Sequence, residues 1–311
     1  MSRLYMMIGL PGSGKSYQAS RMDDVVVVSS DSIREELFGD VNDQEHNNEV
    51  FNEVNKRIYN YLKDGVDTVY DATNLSRKRR RNFLKTLPKE CTTKIAMLMA
   101  TEYDVCLENN NKRDRHVPEE VIERMYKHIT IPNEEEGFDK IVYIRHEDNK
   151  KSMLDYFIPC INFDQDNPNH TLTLSAHMEA TYAKVYELAS MSDLSVDEME
   201  ILYKAAMFHD IGKPVCKTYE KYNGQIDDHA HYYNHAEVGA YMSICAREPM
   251  PIFASHRKVA ENYKRNTISF IIQNHMRFFD ENFSLEKFAS VYGERVAKML
   301  SILHEADIEA H

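Results

Sequence analysis

The glycine-rich segment Gly9-Leu10-Pro11-Gly12-Ser13-Gly14-Lys15-Ser16 constrains the fold more than any other part of the chain. It matches the phosphate-binding pattern G-x-x-x-x-G-K-[ST] in full. The apolar run Leu4 to Ile8, of the kind found in buried strands, precedes it, and a helical segment with Tyr17 and Ala19 follows. Strand, glycine loop and helix in this order predict a P-loop at one edge of an α/β sheet.

Short apolar runs alternate with longer polar segments through the rest of the first half. Continuous apolar runs of this length are typical of strands buried on both faces of a parallel sheet. Between them, Glu45 to Leu62 places its apolar side chains near one helical face. The alternation predicts an α/β sheet with crossover helices. The further runs are Val25 to Ser29, Thr68 to Tyr70, Ile95 to Ala100 and Ile141 to Ile144.

The pattern changes after Arg145, where the polar segment Glu147 to Lys151 is typical of a linker. Beyond it strand-like runs are few, and ten of the fourteen histidines lie at or after His170. A chain of 311 residues fits two domains. We therefore predict an α/β domain over 1–148 and an all-α domain over 149–311. The predicted helices are His177 to Met191, Val196 to Phe208, Asn234 to Ala246, Arg257 to Asn274, Leu285 to Tyr292 and Gly293 to Asp307.

Composition narrows the function classes. The net charge of −12 argues against nonspecific wrapping of duplex DNA, so nucleic-acid contacts should be confined to local basic patches. No apolar stretch approaches the roughly 18 residues of a membrane helix, and Met1 leads directly into the first strand, so we expect neither a membrane span nor a signal peptide. Five scattered cysteines without a CxxC pair fit a reducing cytoplasm. One candidate basic patch, or alternatively a solvated helix start, comprises Arg77, Lys78, Arg79, Arg80, Arg81 and Lys85.

The P-loop residues have defined chemical roles. Gly12 and Gly14 let the backbone curl around Ser13 so that its N–H groups point at phosphate oxygens, and the helix that follows adds partial positive charge. Lys15 neutralises charge on the β- and γ-phosphates, and the Ser16 hydroxyl coordinates Mg²⁺. The first half is therefore expected to bind ATP or another NTP together with Mg²⁺.

Charged side chains follow two further predicted strands. Asp31 comes directly after the second strand, where a carboxylate can take the proton of an attacking hydroxyl, although it can also cap the next helix. Arg34 lies one helical turn later and can hold a substrate phosphate. The segment Asp71 to Asn74 follows the third strand, and it fits either the ligand crevice or turn and cap chemistry.

The basic segment Lys112-Arg113-Asp114-Arg115 precedes the proline-started helix at Val117-Pro118. Arg113 and Arg115 suit a lid over ATP phosphates, because positive charge that arrives on closure stabilises phosphoryl transfer. A solvated charged loop is the alternative.

Residues 1 to 145 resemble the 5′-OH polynucleotide kinase family in the P-loop, the Asp31-x-x-Arg34 pair, the Asp71-x-Thr73-Asn74 turn and the Lys112-Arg113 lid. The resemblance implies that Asp31 is the general base on a 5′-hydroxyl and that Arg34 binds the phosphate next to the acceptor nucleoside. The lid departs from the family pattern, because Glu108 to Asn111 lacks the earlier arginine often found there. Lid chemistry is then expected to rest on Arg113 and Arg115.

The adjacent pair His209-Asp210 opens the segment His-Asp-Ile-Gly-Lys-Pro in the second half. Imidazole and carboxylate together suit divalent transition metals, and a bridged pair of ions can activate water against a phosphoester. Further candidate ligands occur in a regular order before and after this pair. They are His177, His235, His275 and Asp307.

This order resembles the HD phosphohydrolase superfamily, and the motif is similar to the HD domain of bacterial tRNA nucleotidyltransferases. The resemblance implies one metal held by His177, His209, Asp210 and Asp307, and a second held by His235 and His275 with Asp210 bridging. It also implies that Lys213, and with it His170, meets the substrate phosphoester. His229, His231, His256 and His304 are expected on the surface or on helix faces, with His304 alternatively beside a ligand.

The pairing of the two halves resembles the HD-Pnk family, whose modules occur in the opposite order. It implies an RNA or DNA end-healing enzyme that phosphorylates 5′-OH ends with ATP or another NTP and Mg²⁺, and clears 2′,3′-cyclic or 2′-phosphate ends with Mn²⁺, Co²⁺, Ni²⁺ or a similar ion. A separate RNA ligase is the expected partner, and a homo-oligomer stays open. The alternative is a metabolite or nucleoside kinase fused to an HD nucleotidase.

Overall fold

The computed structural model describes residues 1–113, 115–168, 171–247 and 258–310. They form two compact units, Met1–Asp148 and Asn149–His311. The residues Asp114, His170, His256 and Arg257, which the sequence analysis considers, lie outside the described ranges. Within those ranges, no helix is both long enough and apolar enough to cross a membrane.

The first unit is built around a five-stranded parallel sheet, as the sequence predicts. Its strands are β1 (Ser2–Ile8), β2 (Val26–Ser29), β3 (Thr68–Asp71), β4 (Cys91–Ala100) and β5 (Lys140–Arg145), in the order β2-β3-β1-β4-β5. Its helices are α1 (Lys15–Ser20), α2 (Ser30–Phe38), α3 (Asn47–Lys63), α4 (Arg77–Leu84), α5 (Tyr103–Asn111) and α6 (Glu119–Lys127). Because the strands are parallel, the segments that follow β1, β2, β3 and β4 meet at one edge of the sheet.

The central strand β1 explains why the sheet forms here. Its residues Leu4, Met6, Met7 and Ile8 are completely buried, which requires cover on both faces and suits a parallel sheet. Helix α3 buries a stripe that repeats every four residues, from Val50 to Leu62, and this spacing keeps the stripe on one helical face.

Arg80 does not belong to the candidate basic patch at the start of α4, and this corrects the sequence-based expectation for that residue. Its side chain is 1% exposed and forms two hydrogen bonds of 2.7 Å with the carboxylate of Glu136. The same guanidinium donates to the carbonyl oxygens of Asn74, Leu75 and Thr130 at 2.9–3.0 Å. Arg80 therefore ties together three chain segments, and it does not contribute to a nucleic-acid surface.

The second unit is mainly helical. Its helices are α7 (Met153–Phe157), α8 (Leu174–Ser190), α9 (Val196–Phe208), α10 (Lys213–Cys216), α11 (His235–Cys245), α12 (Lys258–Asn274), α13 (Leu285–Tyr292) and α14 (Glu294–Glu309). The bounds of α9 and α13 coincide with the predicted ones. Helix α11 is buried along its whole length, which makes it the central helix of the unit.

A short antiparallel hairpin interrupts the helical unit, and the sequence analysis did not predict it. Its strands are β6 (Thr218–Glu220) and β7 (Ile226–His231). The turn carries Asn223 and Gly224, and Gly224 has a φ of 82°, a left-handed conformation that favours glycine. The dipeptide Asn-Gly is a hairpin signal. It was not recognised in the sequence because the flanking strands are short and have no apolar run.

A buried charge cluster joins α9 to α12. Each carboxylate oxygen of Glu200 accepts a 2.6 Å hydrogen bond, one from Lys204 and one from Lys264. Lys264 also lies 2.7 Å from Asp197. Since a buried charge without a partner is costly, this arrangement specifies how the two helices pack.

Arg80→Met should destabilise the first unit, because the buried Glu136 carboxylate loses its two 2.7 Å hydrogen bonds. That carboxylate keeps longer contacts, with Arg77 at 3.6 Å and with the Asn133 N–H at 3.2 Å. The expected loss in the free energy of unfolding is about 3–5 kcal/mol, measured by urea unfolding. Arg79→Met is the matched control, since Arg79 is exposed on the same helix and should change the free energy by less than about 0.5 kcal/mol. Equal effects of the two substitutions would contradict the structural role of Arg80.

Candidate active sites

The P-loop connects β1 to α1 and has the backbone that its glycines allow. Gly12 and Gly14 have φ values of 77° and 88°. A Cβ atom on Gly12 would lie 2.1 Å from the carbonyl oxygen of Cys106, so no larger residue fits there. The ammonium of Lys15 donates to the carbonyl oxygen of Leu10 at 2.8 Å, which holds its side chain over the loop.

Polar contacts from α5 and from the residue after β4 brace this loop. The Asn109 side chain donates to the carbonyl oxygen of Gly12 at 3.1 Å, and the Thr101 hydroxyl donates to that of Ser13 at 3.0 Å. With these carbonyl groups fixed from outside, the N–H groups of the loop can face inward toward an anion.

Asp71 at the end of β3 faces the P-loop, a placement that the sequence analysis left undecided. Its buried carboxylate accepts a 2.8 Å hydrogen bond from the Ser16 hydroxyl. A P-loop hydroxyl and a carboxylate from a neighbouring strand are the pair that holds Mg²⁺ in P-loop NTPases. Burial lowers the pKa of Lys15, while the negative charge of Asp71 raises it and the positive charge of Arg113 lowers it further.

Asp31 and Arg34 lie together at the start of α2. The Ser29 hydroxyl caps this helix by accepting from the Ser32 N–H at 3.4 Å, so Asp31 is not the cap residue. Arg34 donates to one oxygen of Asp31 at 3.1 Å and to the Asn47 side chain at 2.8 Å. Arg34 is only 5% exposed, and among the described residues its Nε has no hydrogen-bond partner.

The two predicted lid arginines point to different groups. Arg115 lies 3.0 Å from the second oxygen of Asp31 and donates to the Asn42 side chain at 2.8 Å. Arg113 instead lies close enough to Lys15 for its charge to act on the ammonium. The prediction that Arg115 meets ATP phosphates stays a prediction, and in this structure the arginine contacts the candidate base.

The second unit brings together all six predicted metal ligands from five places in the chain. His177 lies on α8, His209-Asp210 follows α9, His235 begins α11, His275 follows α12 and Asp307 lies on α14. Their ligand atoms form two buried groups, each within 4.8 Å: His177, His209 and Asp307 in one, and Asp210, His235 and His275 in the other.

Asp210 stands between the two groups and offers one oxygen to each. Its Oδ2 lies 3.3 Å from Nε2 of His209 and 3.6 Å from Nε2 of His177. Its Oδ1 lies 3.2 Å from Nε2 of His235 and 3.5 Å from Nε2 of His275. This is the arrangement in which one carboxylate can bridge two ions.

The backbone decides which imidazole nitrogen faces the cluster. Nδ1 of His209, His235 and His275 each lies 2.7–2.8 Å from the carbonyl oxygen three residues earlier. A carbonyl oxygen only accepts, so Nδ1 carries the proton and the neutral ring presents a lone pair at Nε2. These helical turns therefore prepare three imidazoles as metal ligands.

The Nε2 atoms of His235 and His275 and the Oδ1 atom of Asp210 face one another as acceptors, so a cation between them would stabilise the group. Nε2 of His235 lies 3.2 Å from Nε2 of His275, and two lone pairs cannot bond to each other. Oδ1 of Asp210 is buried beside them and, among the described residues, accepts no hydrogen bond. The orphaned oxygen and the two imidazoles together fit a divalent metal ion.

The first group can hold a proton in place of an ion. Burial opposes a charged imidazole at His209, but the carboxylates of Asp210 and Asp307 raise its pKa to about 10. Burial likewise opposes charge on Asp210, yet the positive charges of Lys213 and His209 hold its pKa well below the usual range. A bound metal ion would compete with that proton.

Lys213 completes the charged centre. Its ammonium lies 2.6 Å from Oδ2 of Asp210 and donates to the buried Gln165 side chain at 2.8 Å. An ammonium has three donors, so these two contacts within the described residues leave one N–H for a further acceptor.

Other histidines make local contacts. His231 lies 3.0 Å from Asp227 and stacks on Tyr233. His304 stacks on Phe278 at a ring distance of 4.2 Å, and burial lowers its pKa.

Each half of the chain matches a family model. Residues 4–132 match the family model described as an AAA domain, and residues 174–309 match the HD domain. The predicted architecture, a P-loop kinase domain followed by an HD domain, is thereby confirmed in the predicted order.

Individual relatives are distant. L-seryl-tRNA(Sec) kinase of Methanococcus maripaludis is 26% identical over 145 residues, 44% of this chain and 56% of the relative, so the chain spans little more than half of that curated protein. Among solved structures, a Pnkp1/Rnl/Hen1 complex has 19% identity over 49% of each chain, with a TM-score of 0.33. A candidate kinase from Chloroflexus aurantiacus has 14% identity over 46% of this chain and 84% of its own, with a TM-score of 0.30.

Mn²⁺ should raise the unfolding temperature of the EDTA-treated protein, because only the folded chain assembles the two ligand groups. At an Mn²⁺ concentration of roughly 100 times Kd, the added stability is about 2.7 kcal/mol. Asp210→Asn should remove most of the shift, since it removes the charge shared by both groups.

His229→Gln is the matched control for this measurement, since His229 is an exposed histidine on β7. It should keep the full Mn²⁺-dependent shift. A shift of equal size in Asp210→Asn would mean that the ion binds elsewhere.

Proposed function

We propose that this protein heals broken RNA or DNA ends with two phosphate-handling sites in one chain. The kinase unit phosphorylates 5′-OH ends with an NTP and Mg²⁺. The HD unit hydrolyses 2′,3′-cyclic phosphate or 2′-phosphate ends. The products, a 5′-phosphate and a free 3′-end, are the ends that a separate RNA ligase would join.

The observation that carries the proposal is the Asp31–Arg34 pair. Arg34 is buried and fixed by Asn47, and among the residues that the structure describes its Nε has no hydrogen-bond partner, so it can bind an anion without first losing side-chain freedom. A nucleoside or small alcohol offers no phosphate beside its hydroxyl, whereas a 5′-OH polynucleotide end does. The pair therefore favours a polynucleotide acceptor over a free nucleoside.

In the kinase reaction, Asp31 would take the proton of the 5′-hydroxyl while the oxygen attacks the γ-phosphorus in line with the departing diphosphate. Lys15 and the inward N–H groups of the P-loop would stabilise the charge that develops on the phosphoryl oxygens. Ser16 and Asp71 would hold Mg²⁺.

In the HD reaction, the six clustered side chains would hold one or two divalent ions, which supply an activated water and neutralise phosphoester charge. Lys213 would direct its third N–H to a phosphate oxygen, since Asp210 and Gln165 already accept from the other two. Manganese, cobalt and nickel ions suit this mixture of imidazole and carboxylate ligands.

One short RNA with a 5′-OH and a 2′,3′-cyclic phosphate tests both activities. It is incubated with ATP, Mg²⁺ and Mn²⁺, and both ends are resolved for the wild type, Lys15→Ala and Asp210→Ala. We expect Lys15→Ala to lose 5′ phosphorylation alone and Asp210→Ala to lose 3′-side hydrolysis alone, because each substitution disables one unit.

Each variant serves as the folding control for the other, since the activity it keeps reports an intact chain. If the wild type leaves both RNA ends unchanged but turns over nucleosides or mononucleotides, the protein is a metabolic kinase with a nucleotidase domain.

A further inference from the structure

We infer that Arg115 belongs to the acceptor subsite, where it and Arg34 together select acceptors that carry a phosphate next to the reacting hydroxyl. This assignment rests on the proposed kinase function and deepens it. It moves Arg115 away from the ATP phosphates that the sequence pattern suggested.

The contacts of Asp31 are the first step of the argument. Its two oxygens face two different guanidinium groups, Arg34 at 3.1 Å and Arg115 at 3.0 Å. One carboxylate between two guanidiniums leaves a net charge of one positive unit on the three groups. Such a site attracts a phosphodiester or phosphate monoester.

The loop that carries Arg115 is anchored on the same unit. The buried Asn110 side chain donates to the carbonyl oxygen of Val117 at 2.9 Å and accepts from its N–H at 3.0 Å. These two bonds close the base of the segment that contains Arg115. The arginine is thus presented from a fixed base rather than from an unrestrained loop.

The opposite wall of the subsite is also ordered. Asn42, which accepts from Arg115, has its own N–H bonded to the Asp40 carboxylate at 2.8 Å. Asn47, which accepts from Arg34, begins α3. Each guanidinium is therefore fixed by one carboxylate oxygen and one asparagine amide oxygen.

This arrangement places the candidate base beside the acceptor phosphate. Each oxygen of Asp31 has one guanidinium contact, and because the side chain is 48% exposed, its remaining lone pairs can accept from a hydroxyl. Arg34 is nearly fully buried, whereas the Arg115 side chain is 23% exposed, so Arg115 is the one that can shift. A phosphate that accepts hydrogen bonds from Arg115 would weaken its contact with Asp31 and bring the neighbouring hydroxyl next to that carboxylate.

Arg113 supplies the matched comparison from the same loop, because its charge acts on Lys15 of the P-loop. Steady-state kinetics would be measured for the wild type, Arg115→Ala, Arg115→Lys and Arg113→Ala. The acceptors are a nucleoside 3′-monophosphate and the same nucleoside without phosphate, with ATP and each acceptor varied in turn.

Arg115→Ala should raise KM for the 3′-phosphorylated acceptor about 10- to 100-fold, as expected for a lost charge-assisted contact. It should leave KM for ATP within about 2-fold and shrink the preference for the phosphorylated acceptor. Arg115→Lys should raise KM for the 3′-phosphorylated acceptor less than Arg115→Ala does, because lysine keeps the positive charge but lacks the planar guanidinium that binds a phosphate with two hydrogen bonds. Arg113→Ala should give the opposite pattern, with KM raised for ATP.

Three results would overturn the assignment. If Arg115→Ala raises KM for ATP and leaves acceptor selection unchanged, Arg115 serves the nucleotide and the proposed kinase function stands. If the wild type phosphorylates the phosphate-free nucleoside as well as the 3′-monophosphate and the RNA end, the selection itself is absent. If it phosphorylates neither the 3′-monophosphate nor the RNA end, the proposed function fails and this assignment with it.

Discussion

The carboxylate of Asp210 organises the second unit, because its buried negative charge needs hydrogen-bond donors or positive charges close to it. Four histidine nitrogens lie within 3.6 Å of its two oxygens, and the ammonium of Lys213 lies 2.6 Å away. The groups come from α8, from the end of α9, from α10, α11 and the end of α12. These helices cannot shift relative to one another without exposing an uncompensated charge, so the packing of the unit and the geometry of its site are specified together.

The same requirement governs the first unit in a different form. Its buried cations are held by partners that define their roles: Arg80 by Glu136, which locks a turn, and Arg34 by Asp31 and Asn47, which leaves an anion-binding group at the sheet edge. Parallel strands bring the P-loop, Asp31 and Asp71 to that edge. The hydrogen bonds of Arg80 thus stabilise the fold, whereas the Nε of Arg34, which has no partner among the described residues, is left for a substrate anion.

Sequence patterns predicted most of this arrangement where the chemistry is local. The P-loop, the five strands and the HD ligand order each depend on residue type and spacing, and both can be read directly from the sequence. The hairpin β6–β7 was not predicted because its strands are short and polar. The dipeptide Asn223-Gly224 was its one sequence signal. Arg80 was misread because periodicity does not say whether a long cationic side chain turns inward to a carboxylate 56 residues away.

By itself the sequence determined which groups are available: a phosphate cradle with its lysine and serine, a candidate base with an arginine one turn later, and six imidazole and carboxylate ligands in order. Those follow from covalent spacing and from the periods of helix and strand. Only the tertiary structure decided the pairings. It set Ser16 against Asp71, Arg115 against Asp31, and Asp210 between two histidine pairs, because distance between residues remote in the chain is fixed by packing and by the cost of burying an unpaired charge.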